Sequence, residues 1–171
     1  MASSGGGRWG QSKKRRFSTL TPKTIRLNQT HALACLKLDV RALNGLWSSE
    51  HWKRELSEPD RICVGITAGA DVIAVSCGWV VLDELQITVL AVDPEQRRRG
   101  LGRSVLQKLL VDASDAGVRQ AILDVAEDNL AANSLYSSFG FQTIGRRARY
   151  YRDGKDALIR SLDVQRKNKL N

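Results

Sequence analysis

Three apolar, β-branched runs occupy the chain between residues 61 and 92: RICVGI, VIAVSCGWVVL and LQITVLAV. Only two short polar segments, TAGAD and DE, separate them. Connections this short are typical of antiparallel neighbours, because a parallel pair needs a crossover of about a dozen residues or more. The middle of the chain is therefore predicted to form a three-stranded meander in one sheet.

The hydrophobic period changes from strand-like to helical after Gly100. Apolar residues then recur every fourth position, at Leu101, Val105, Leu109 and Ala113, and Gly117 is a stop signal. Further along, RQAILDVA reads as a strand and DNLAANSLYSSFGF as a helix. That second helix is expected to be capped by Asp128 or Asn129 and closed by Gly140.

The two ends of this region add further elements. KTIRLN predicts a first strand, THALACLKLDVRAL and WSSEHWKRELSE two helices, and QTIGRRARYY and DALIRSLDV a closing hairpin joined by RDGK. The order is one strand, two helices, three strands, helix, strand, helix and two strands. The fold class is therefore α/β (α+β), a mixed sheet covered by helices.

The length of 171 residues, with 42% hydrophobic residues, suits one domain with one sizeable core. We expect a disordered basic tail at 1–22, the domain at 23–163 and a short basic tail at 164–171. The first 22 residues contain basic residues, no acid and no apolar period. The alternatives for that segment are an organelle signal and an arm that contacts the ribosome or RNA.

The formal charge of +9 suggests an anionic ligand or partner, but does not by itself identify one. The three cysteines form no C-x-x-C pair, so neither a disulfide framework nor a metal site is predicted. No apolar stretch approaches the roughly 20 residues that cross a bilayer. We therefore expect a cytoplasmic protein without membrane contacts.

The stretch VDPEQRRRGLGRSVLQKLL places a glycine-rich, strongly basic loop between a strand and a helix. The first N–H groups of a helix lack internal partners and favour anions, so a phosphate group is the expected ligand. A P-loop is excluded because Arg103 follows Gly102 where lysine is required. A dinucleotide fingerprint is excluded because Val105 stands at its third small position. The remaining pattern is R-x-x-G-x-G at 97–102.

That pattern and a second one resemble the GCN5-related N-acetyltransferase (GNAT) family. The segment ITVLAVDPEQRRRGLGRSVLQKLL is similar to the family's coenzyme-binding strand, loop and helix, and NLAANSLYSSFGF is similar to its later N-x-x-A-x-x-L-Y-x-x-x-G-F helix. The resemblance covers roughly residues 23–163. It implies the GNAT fold, a mostly antiparallel sheet of about seven strands with about four helices, and acetyl-CoA as co-substrate.

Within the family, the chain resembles the RimI-type ribosomal-protein-alanine N-acetyltransferases. LWSSEHWKREL is similar to their W-S-x-x-x-W/F-x-x-E-L helix, and RRARYYRDGKDALIRSL is similar to their R-R-x-Y-Y…D-G-x-x-D-A-I/L-x-M-x-L ending. This likeness implies a protein N-terminal amine as acceptor, with that of a ribosomal protein with an N-terminal alanine as a candidate.

The resemblance implies that main-chain groups hold the coenzyme. The strand residues would offer their backbone to the pantetheine arm and the loop its N–H groups to the diphosphate, with the arginines adding attraction. The predicted coenzyme-binding residues are Leu90, Ala91, Val92, Arg97, Arg98, Arg99, Gly100, Leu101, Gly102, Arg103, Ser104 and Asn129.

The resemblance also implies two proton-transfer residues. RimI-type sequences carry a Glu at the end of the strand before the Asn-headed helix and a Tyr twelve residues later. Asp124 and Tyr136 stand at these positions. Tyr136 is the expected general acid. Asp124 is the expected base, directly or through water because its side chain is one methylene shorter, and Glu84 is the alternative base.

The acceptor remains open at this point. The coenzyme motifs are equally compatible with a lysine side chain, a polyamine or an antibiotic amine. The net charge would also suit a non-enzymatic RNA- or ribosome-binding module, although no specific nucleic-acid partner is predicted. Acceptor specificity is expected to reside in the segments 43–57 and 146–154.

Overall fold

A computed structural model of the protein describes residues 23–165, which form seven strands and four α-helices. The strands are β1 (Thr24–Arg26), β2 (Arg61–Ala68), β3 (Asp71–Val81), β4 (Glu84–Val92), β5 (Gln120–Ala126), β6 (Gln142–Arg147) and β7 (Ala157–Asp163). The α-helices are α1 (Ala32–Leu43), α2 (Ser49–Glu55), α3 (Leu101–Asp115) and α4 (Leu130–Phe139). Short 3-10 helices lie at Gln29–His31 and Pro94–Gln96.

The strands form one sheet in the order β1-β2-β3-β4-β5-β7-β6. Neighbouring strands are antiparallel except β4 and β5, which are parallel. A parallel pair requires a crossover, and α3 provides it. The predicted fold class and the predicted order of elements are both confirmed.

Helices cover the sheet on two faces, each with its own core. Helices α3 and α4 pack with one set of buried residues, and α1 and α2 with a second set. Strand β2 illustrates the division, because Val64 belongs to the first set and its neighbour Cys63 to the second. Successive side chains of a strand point to opposite faces, so the central strands are apolar on both sides.

The parallel strands β4 and β5 separate after a short common stretch. Residues 84–86 of β4 pair with 120–122 of β5, although the strands continue to Val92 and Ala126. We call the wedge between residues 87–92 and 123–126 the fork. The β4 side comprises β4, the following loop and the start of α3, and the β5 side comprises β5, α4 and the β6–β7 hairpin.

The closing hairpin differs from its prediction. Strand β6 ends at Arg147, so the connection to β7 covers residues 148–156 instead of the four residues RDGK. The reason is local hydrogen bonding: Asp156 accepts from the backbone N–H of Arg149 (2.7 Å), whose φ of 51° bends the chain out of the strand. The sequence RARYY therefore continues into a loop.

The folded part extends slightly past the predicted domain end at residue 163. Val164 is buried, and its N–H donates to the Arg119 carbonyl (2.9 Å). The predicted tails at 1–22 and, from residue 166 onward, at the C-terminal end lie outside the described residues. Among residues 23–165, none of the helices combines the length and apolar character that crossing a bilayer requires.

Candidate active site

The loop before α3 has the backbone geometry of an anion-binding site. Arg98 (φ 62°) and Gly100 (φ 77°) both adopt left-handed conformations, and α3 begins directly afterwards at Leu101. The N–H of Ser104 donates to the Gly100 carbonyl (3.0 Å) as the first bond of the helical ladder. The N–H groups of the three preceding residues therefore stand ahead of that ladder, where they can bind an anion.

Buried polar contacts hold this loop in place. Asp93, 8% exposed, accepts from the backbone N–H of Glu95 (3.0 Å) and forms an ion pair with Arg41 of α1 (2.8 Å). Gln96 is also buried and accepts a hydrogen bond from the Arg99 guanidinium. These side-chain contacts fix the conformation of the loop, so its backbone is preorganised before any ligand binds.

The two glycines of the loop have different surroundings. A Cβ built on Gly100 meets no atom within 4 Å, so this side of the loop is open. A Cβ built on Gly102 would lie 3.5 Å from Val92, 3.6 Å from Leu135 and 3.7 Å from Leu90. A Cβ at Gly102 would therefore make ordinary van der Waals contacts with side chains of β4 and α4. The open space, the free N–H groups and the arginines fit a diphosphate.

One edge of strand β4 faces the fork with its main-chain groups. Leu90, Ala91 and Val92 pair with β3 on the other edge, opposite Ser76, Val75 and Ala74. The register shifts nearby, because Val89 is opposite Cys77 and Ile87 is opposite Gly78. Thr88 is the extra residue of this β-bulge, which bends a strand and redirects its backbone groups. An extended ligand can add to the open edge as a further strand would.

Asp124 lies on the β5 side of the fork, just beyond the last residue that pairs with β4. Its carboxylate forms an ion pair with the Arg147 guanidinium (3.3 Å), and its side chain is 25% exposed. Glu84 is opposite Gln120 at the other end of the strand pair and binds the Gln86 amide. Asp124 lies four positions beyond Gln120 along β5, about 13 Å of strand, so the structure does not bring Glu84 to the fork.

Tyr136 is buried on α4, with 7% of its surface exposed. Burial raises the pKa of the phenol to about 12; nearby Tyr151 contributes in the same direction, and the positive charge of Arg160 opposes the rise. A phenol with this pKa is fully protonated at neutral pH. Tyr136 therefore carries the proton that a general acid must supply.

Tyr151, in the β6–β7 loop, was not singled out from the sequence. The side chain is partly buried, which raises the pKa of its phenol, and the charge of Asp124 adds to the effect. The charge of Tyr151 also raises the pKa of Tyr136, so this residue lies near both predicted proton-transfer groups. The only sequence signal was its position in RRARYY, which resembles the RimI-type ending but carries no chemical role by itself.

Asn129 caps α4 as predicted. Its side-chain oxygen accepts from the N–H of Ala132 (3.1 Å), and Gly140 ends the helix with a φ of 91°. The start of α3 is also tied to this helix, because the Arg103 guanidinium donates to the Ser138 hydroxyl (2.8 Å) and lies over the Phe139 ring. A coenzyme contact by Asn129 remains a prediction.

A buried aspartate organises the loop between α1 and α2, which belongs to the predicted specificity segment 43–57. Asp39, 1% exposed, accepts from the backbone N–H groups of Leu46 (2.6 Å) and Trp47 (2.9 Å) and from the Trp52 indole (2.8 Å). The Trp47 ring stacks on His51, with 4.4 Å between centroids. These contacts therefore fix the conformation of the loop.

The structure brings together potential metal ligands that the sequence did not suggest. One ligand atom each of Glu55, Cys63 and Cys77 lies within 4.8 Å of the others in the second core. Two of the three groups have protein partners: the Glu55 carboxylate accepts from Thr88 (3.2 Å), and the Cys63 thiol donates to the Glu55 carbonyl (3.6 Å). Burial raises the pKa of the Cys77 thiol. A thiol binds a metal as the thiolate, so this rise in pKa disfavours metal binding by Cys77.

Comparison with known proteins agrees with this geometry. Residues 32–141 match the model of the acetyltransferase (GNAT) family. The N-alpha-acetyltransferase RimI of Mycobacterium tuberculosis (strain ATCC 25618 / H37Rv) is 36% identical over 144 residues, 80% of this chain and 89% of that protein. The [ribosomal protein bS18]-alanine N-acetyltransferase of Escherichia coli (strain K12) is 33% identical over 81% of this chain and 95% of its own length.

A solved structure gives the same result. The crystal structure of the ribosomal-protein-S18-alanine N-acetyltransferase from Escherichia coli superposes with a TM-score of 0.78 and 31% identity. The match covers 84% of this chain and 94% of that chain. The shared sheet, the loop before α3 and these similarities show that the chain belongs to the GNAT acetyltransferase family.

Proposed function

We propose that this protein transfers the acetyl group of acetyl-CoA to the α-amino group of a protein N-terminus, with the N-terminal alanine of a ribosomal protein as the first candidate. The observation that carries the proposal is the fork, which has an anion-binding loop on the β4 side and Asp124 and Tyr136 on the β5 side. The acceptor is suggested by the relatives, two of which are named for the alanine of ribosomal protein S18.

The β4 side supports coenzyme binding through its main chain. The open edge at 90–92 suits the amides of a pantetheine arm, and the N–H groups before Ser104 suit a diphosphate. A backbone N–H on this strand can also stabilise the negative charge that develops on the thioester oxygen. When bound, acetyl-CoA supplies the activated acetyl group. The arginines at 97–99 are exposed and add positive potential at the mouth of the site.

The β5 side supports deprotonation of the acceptor. An α-amino group has a pKa of about 7.7 to 8.0 against about 10.4 for a lysine side chain, so a modest base suffices for an N-terminal acceptor. Asp124 is the carboxylate at the fork, and its partial exposure leaves room for a bridging water. A cationic acceptor amine competes with Arg147 for this carboxylate. Proton removal then leaves the neutral amine, the nucleophile that acetyl transfer needs.

Tyr136 supplies the proton for the departing thiolate. As the bond between the acetyl carbon and sulfur breaks, the phenolic O–H donates its proton to the sulfur and a phenolate remains. The amine nitrogen forms the new bond to the acetyl carbon and gives up its second proton to solvent. Solvent returns a proton to Tyr136 and Asp124 releases the proton it took from the amine, so the enzyme ends in its starting state. Because Tyr136 is buried, water has little access to this phenol.

Mass spectrometry of a peptide panel tests the proposal. The protein and acetyl-CoA would be incubated with a peptide that begins with alanine and contains one lysine, with the same peptide blocked at its N-terminus, and with a polyamine. We expect one acetyl group on the alanine amine of the first peptide and none on the blocked one. Acetylation of the lysine or the polyamine alone would move the acceptor to another class of amine.

A binding titration tests whether the chain is instead a nucleic-acid-binding module. Submillimolar acetyl-CoA binding, together with RNA binding that salt weakens without regard to sequence, agrees with the proposed enzyme. Salt-resistant, sequence-selective RNA binding without coenzyme binding would contradict it.

A further inference from the structure

Arg160 is a buried cation on β7, with only 6% of its surface exposed. Its four hydrogen bonds go to the Asn133 carbonyl (2.9 Å), the Asn133 side-chain oxygen (3.3 Å), the Ser137 hydroxyl (2.9 Å) and the Phe141 carbonyl (2.7 Å). Every one of these acceptors is neutral, and among the described residues the buried Nε has no partner. Burying a charge without a counter-charge is costly, so this position calls for an explanation.

The hydrogen bonds of Arg160 attach α4 to the sheet. Asn133, which Arg160 binds, donates in turn to the carbonyls of Ala126 (3.0 Å) and Asn129 (3.0 Å) at the end of β5 and the start of α4. Arg160 thereby joins β7, α4 and the β5 side of the fork in one network. An uncharged side chain could meet part of this structural need, since all the groups it contacts are neutral.

The network surrounds Tyr136. Asn133 and Ser137 lie on either side of Tyr136 along α4, and the N–H of Phe141 donates to the Tyr136 carbonyl (3.1 Å). The Phe141 ring also contacts the Tyr136 ring edge to face, with centroids 5.6 Å apart. Arg160 therefore binds residues adjacent to Tyr136 on the helix and in space.

The charge of Arg160 acts on the phenol as well. Burial and Tyr151 raise the pKa of Tyr136, whereas Arg160 lowers it. A positive charge favours the phenolate that forms when Tyr136 gives its proton to the thiolate, and a buried charge acts with little screening. A neutral residue at position 160 would remove this stabilisation of the phenolate.

We infer that Arg160 is a positioning residue for Tyr136, which holds α4 against the fork and stabilises the phenolate produced during acetyl transfer. The inference rests on the proposed function, because it assigns the charge to the proton-transfer step of that reaction. Arg160 itself reaches the reaction only through Tyr136. The proton balance is that of the step above: the phenol loses a proton to sulfur, and solvent replaces it.

The kinetic test compares Arg160→Met, Arg160→Lys and, as a matched control, Arg26→Met on the remote strand β1. Methionine is the residue that the RimI-type pattern has at this position. Lysine keeps the positive charge but forms poorer hydrogen bonds. We expect Arg160→Met to lower kcat on the order of tenfold with an unchanged KM for acetyl-CoA, since one pKa unit in the acid corresponds to at most about that factor. Arg160→Lys should retain more of kcat than Arg160→Met.

The same substitution in a Tyr136→Phe background separates positioning from stability. If Arg160 acts through the phenol, Arg160→Met has almost no further effect on kcat once the hydroxyl is gone. An equal fold-loss in both backgrounds would overturn the inference and leave Arg160 a structural residue. A wild-type kcat for Tyr136→Phe would also overturn it, because Arg160 would have nothing to act through.

A spectroscopic measurement needs no acceptor and no turnover. Difluorotyrosine, whose phenol titrates at lower pH, would replace the three tyrosines, and the Tyr136 fluorine resonance would be assigned by its loss in Tyr136→Phe. The midpoint of this resonance should move to higher pH in Arg160→Met, less in Arg160→Lys, and not in Arg26→Met. An unchanged midpoint in Arg160→Met contradicts the inference, whereas failure of the wild type to acetylate any amine contradicts only the proposed function.

Discussion

The β4 side of the fork comes from one continuous stretch of chain, whereas the β5 side is assembled from side chains that lie far apart in the sequence. Residues 84–104 supply the strand, the loop and the helix start of the β4 side, and they present mainly backbone groups. On the β5 side, Asp124, Tyr136, Tyr151 and Arg160 come from β5, α4, the hairpin loop and β7.

This difference predicts how each side responds to substitution. Backbone N–H groups survive a change of side chain as long as the backbone keeps its conformation, so the β4 side should be sensitive mainly at its glycines. On the β5 side, each functional atom belongs to one side chain, and its removal deletes that function. The largest losses of turnover are therefore expected on the β5 side, and losses of coenzyme affinity on the β4 side.

The largest effect is expected from Tyr136→Phe, which keeps the ring and removes the proton. We expect kcat to fall by roughly 10²- to 10⁴-fold, the usual contribution of a general acid, with an almost unchanged thermal midpoint. Steady-state kinetics on an alanine-terminated peptide measures the loss. Tyr150→Phe, the same change at a half-exposed tyrosine in the β6–β7 loop, should cost less; equal losses would remove the distinction between the two residues.

Asp124→Asn is expected to have the next largest effect. The loss of kcat/KM should be about 10²-fold at pH 7 and smaller near pH 9, because the α-amine, with a pKa of about 8, is then already neutral. A pH profile of both proteins checks this. Loss that is independent of pH would indicate a structural role for the carboxylate.

Asp124→Glu sharpens this assignment, since it introduces the residue of the RimI-type pattern. A rate equal to or above that of the wild type would place the base at position 124. A loss comparable to that of Asp124→Asn, combined with inactivation by Glu84→Gln, would place the base on β4 instead and break the proposed division between the two sides.

On the β4 side, Gly100→Val should weaken acetyl-CoA binding at least tenfold by calorimetry. The left-handed φ costs a residue with a Cβ about 1–2 kcal/mol, and the new side chain would enter the open space beside the loop. Gly69→Val is the matched control, because Gly69 also has a positive φ and open surroundings but lies in the β2–β3 turn. Equal affinity losses in both variants would point to general destabilisation.

The smallest effect is expected from replacing Arg98 and Arg99 with alanine. Both side chains are exposed, so their attraction for the coenzyme is long-range and screened, although Arg99 also donates to Gln96 within the loop. We expect the KM for acetyl-CoA to rise about threefold at low salt and less at high salt, with kcat unchanged. Kinetics at two ionic strengths measures this, and a rise that salt does not reduce would indicate direct contacts with the coenzyme.

Much of the fold could be predicted because its signals are local. The change of period at Gly100, the cap at Asn129 and the left-handed glycine at Gly140 each act within a few residues, and the structure confirms them. The elements of the β4 side could be predicted for the same reason, because a strand, a tight loop and a helix start follow one another directly in the sequence. The predicted length of the β6–β7 connection was wrong because the hydrogen bond from the Arg149 N–H to the Asp156 carboxylate outweighs the strand propensity of RARYY.

The sequence by itself determined the order of strands and helices, which depends on short-range backbone preferences. It also predicted an anion-binding loop and, through the resemblance to RimI-type motifs with fixed spacing, the two candidate proton-transfer residues. Only the tertiary structure decided that β4 and β5 separate, that Arg147 binds Asp124, that Tyr151 stands near both Asp124 and Tyr136, and that Arg160 is buried against α4. These relations join residues that are distant along the chain. They depend on how helices pack on the sheet, and no local pattern of residue types encodes that packing.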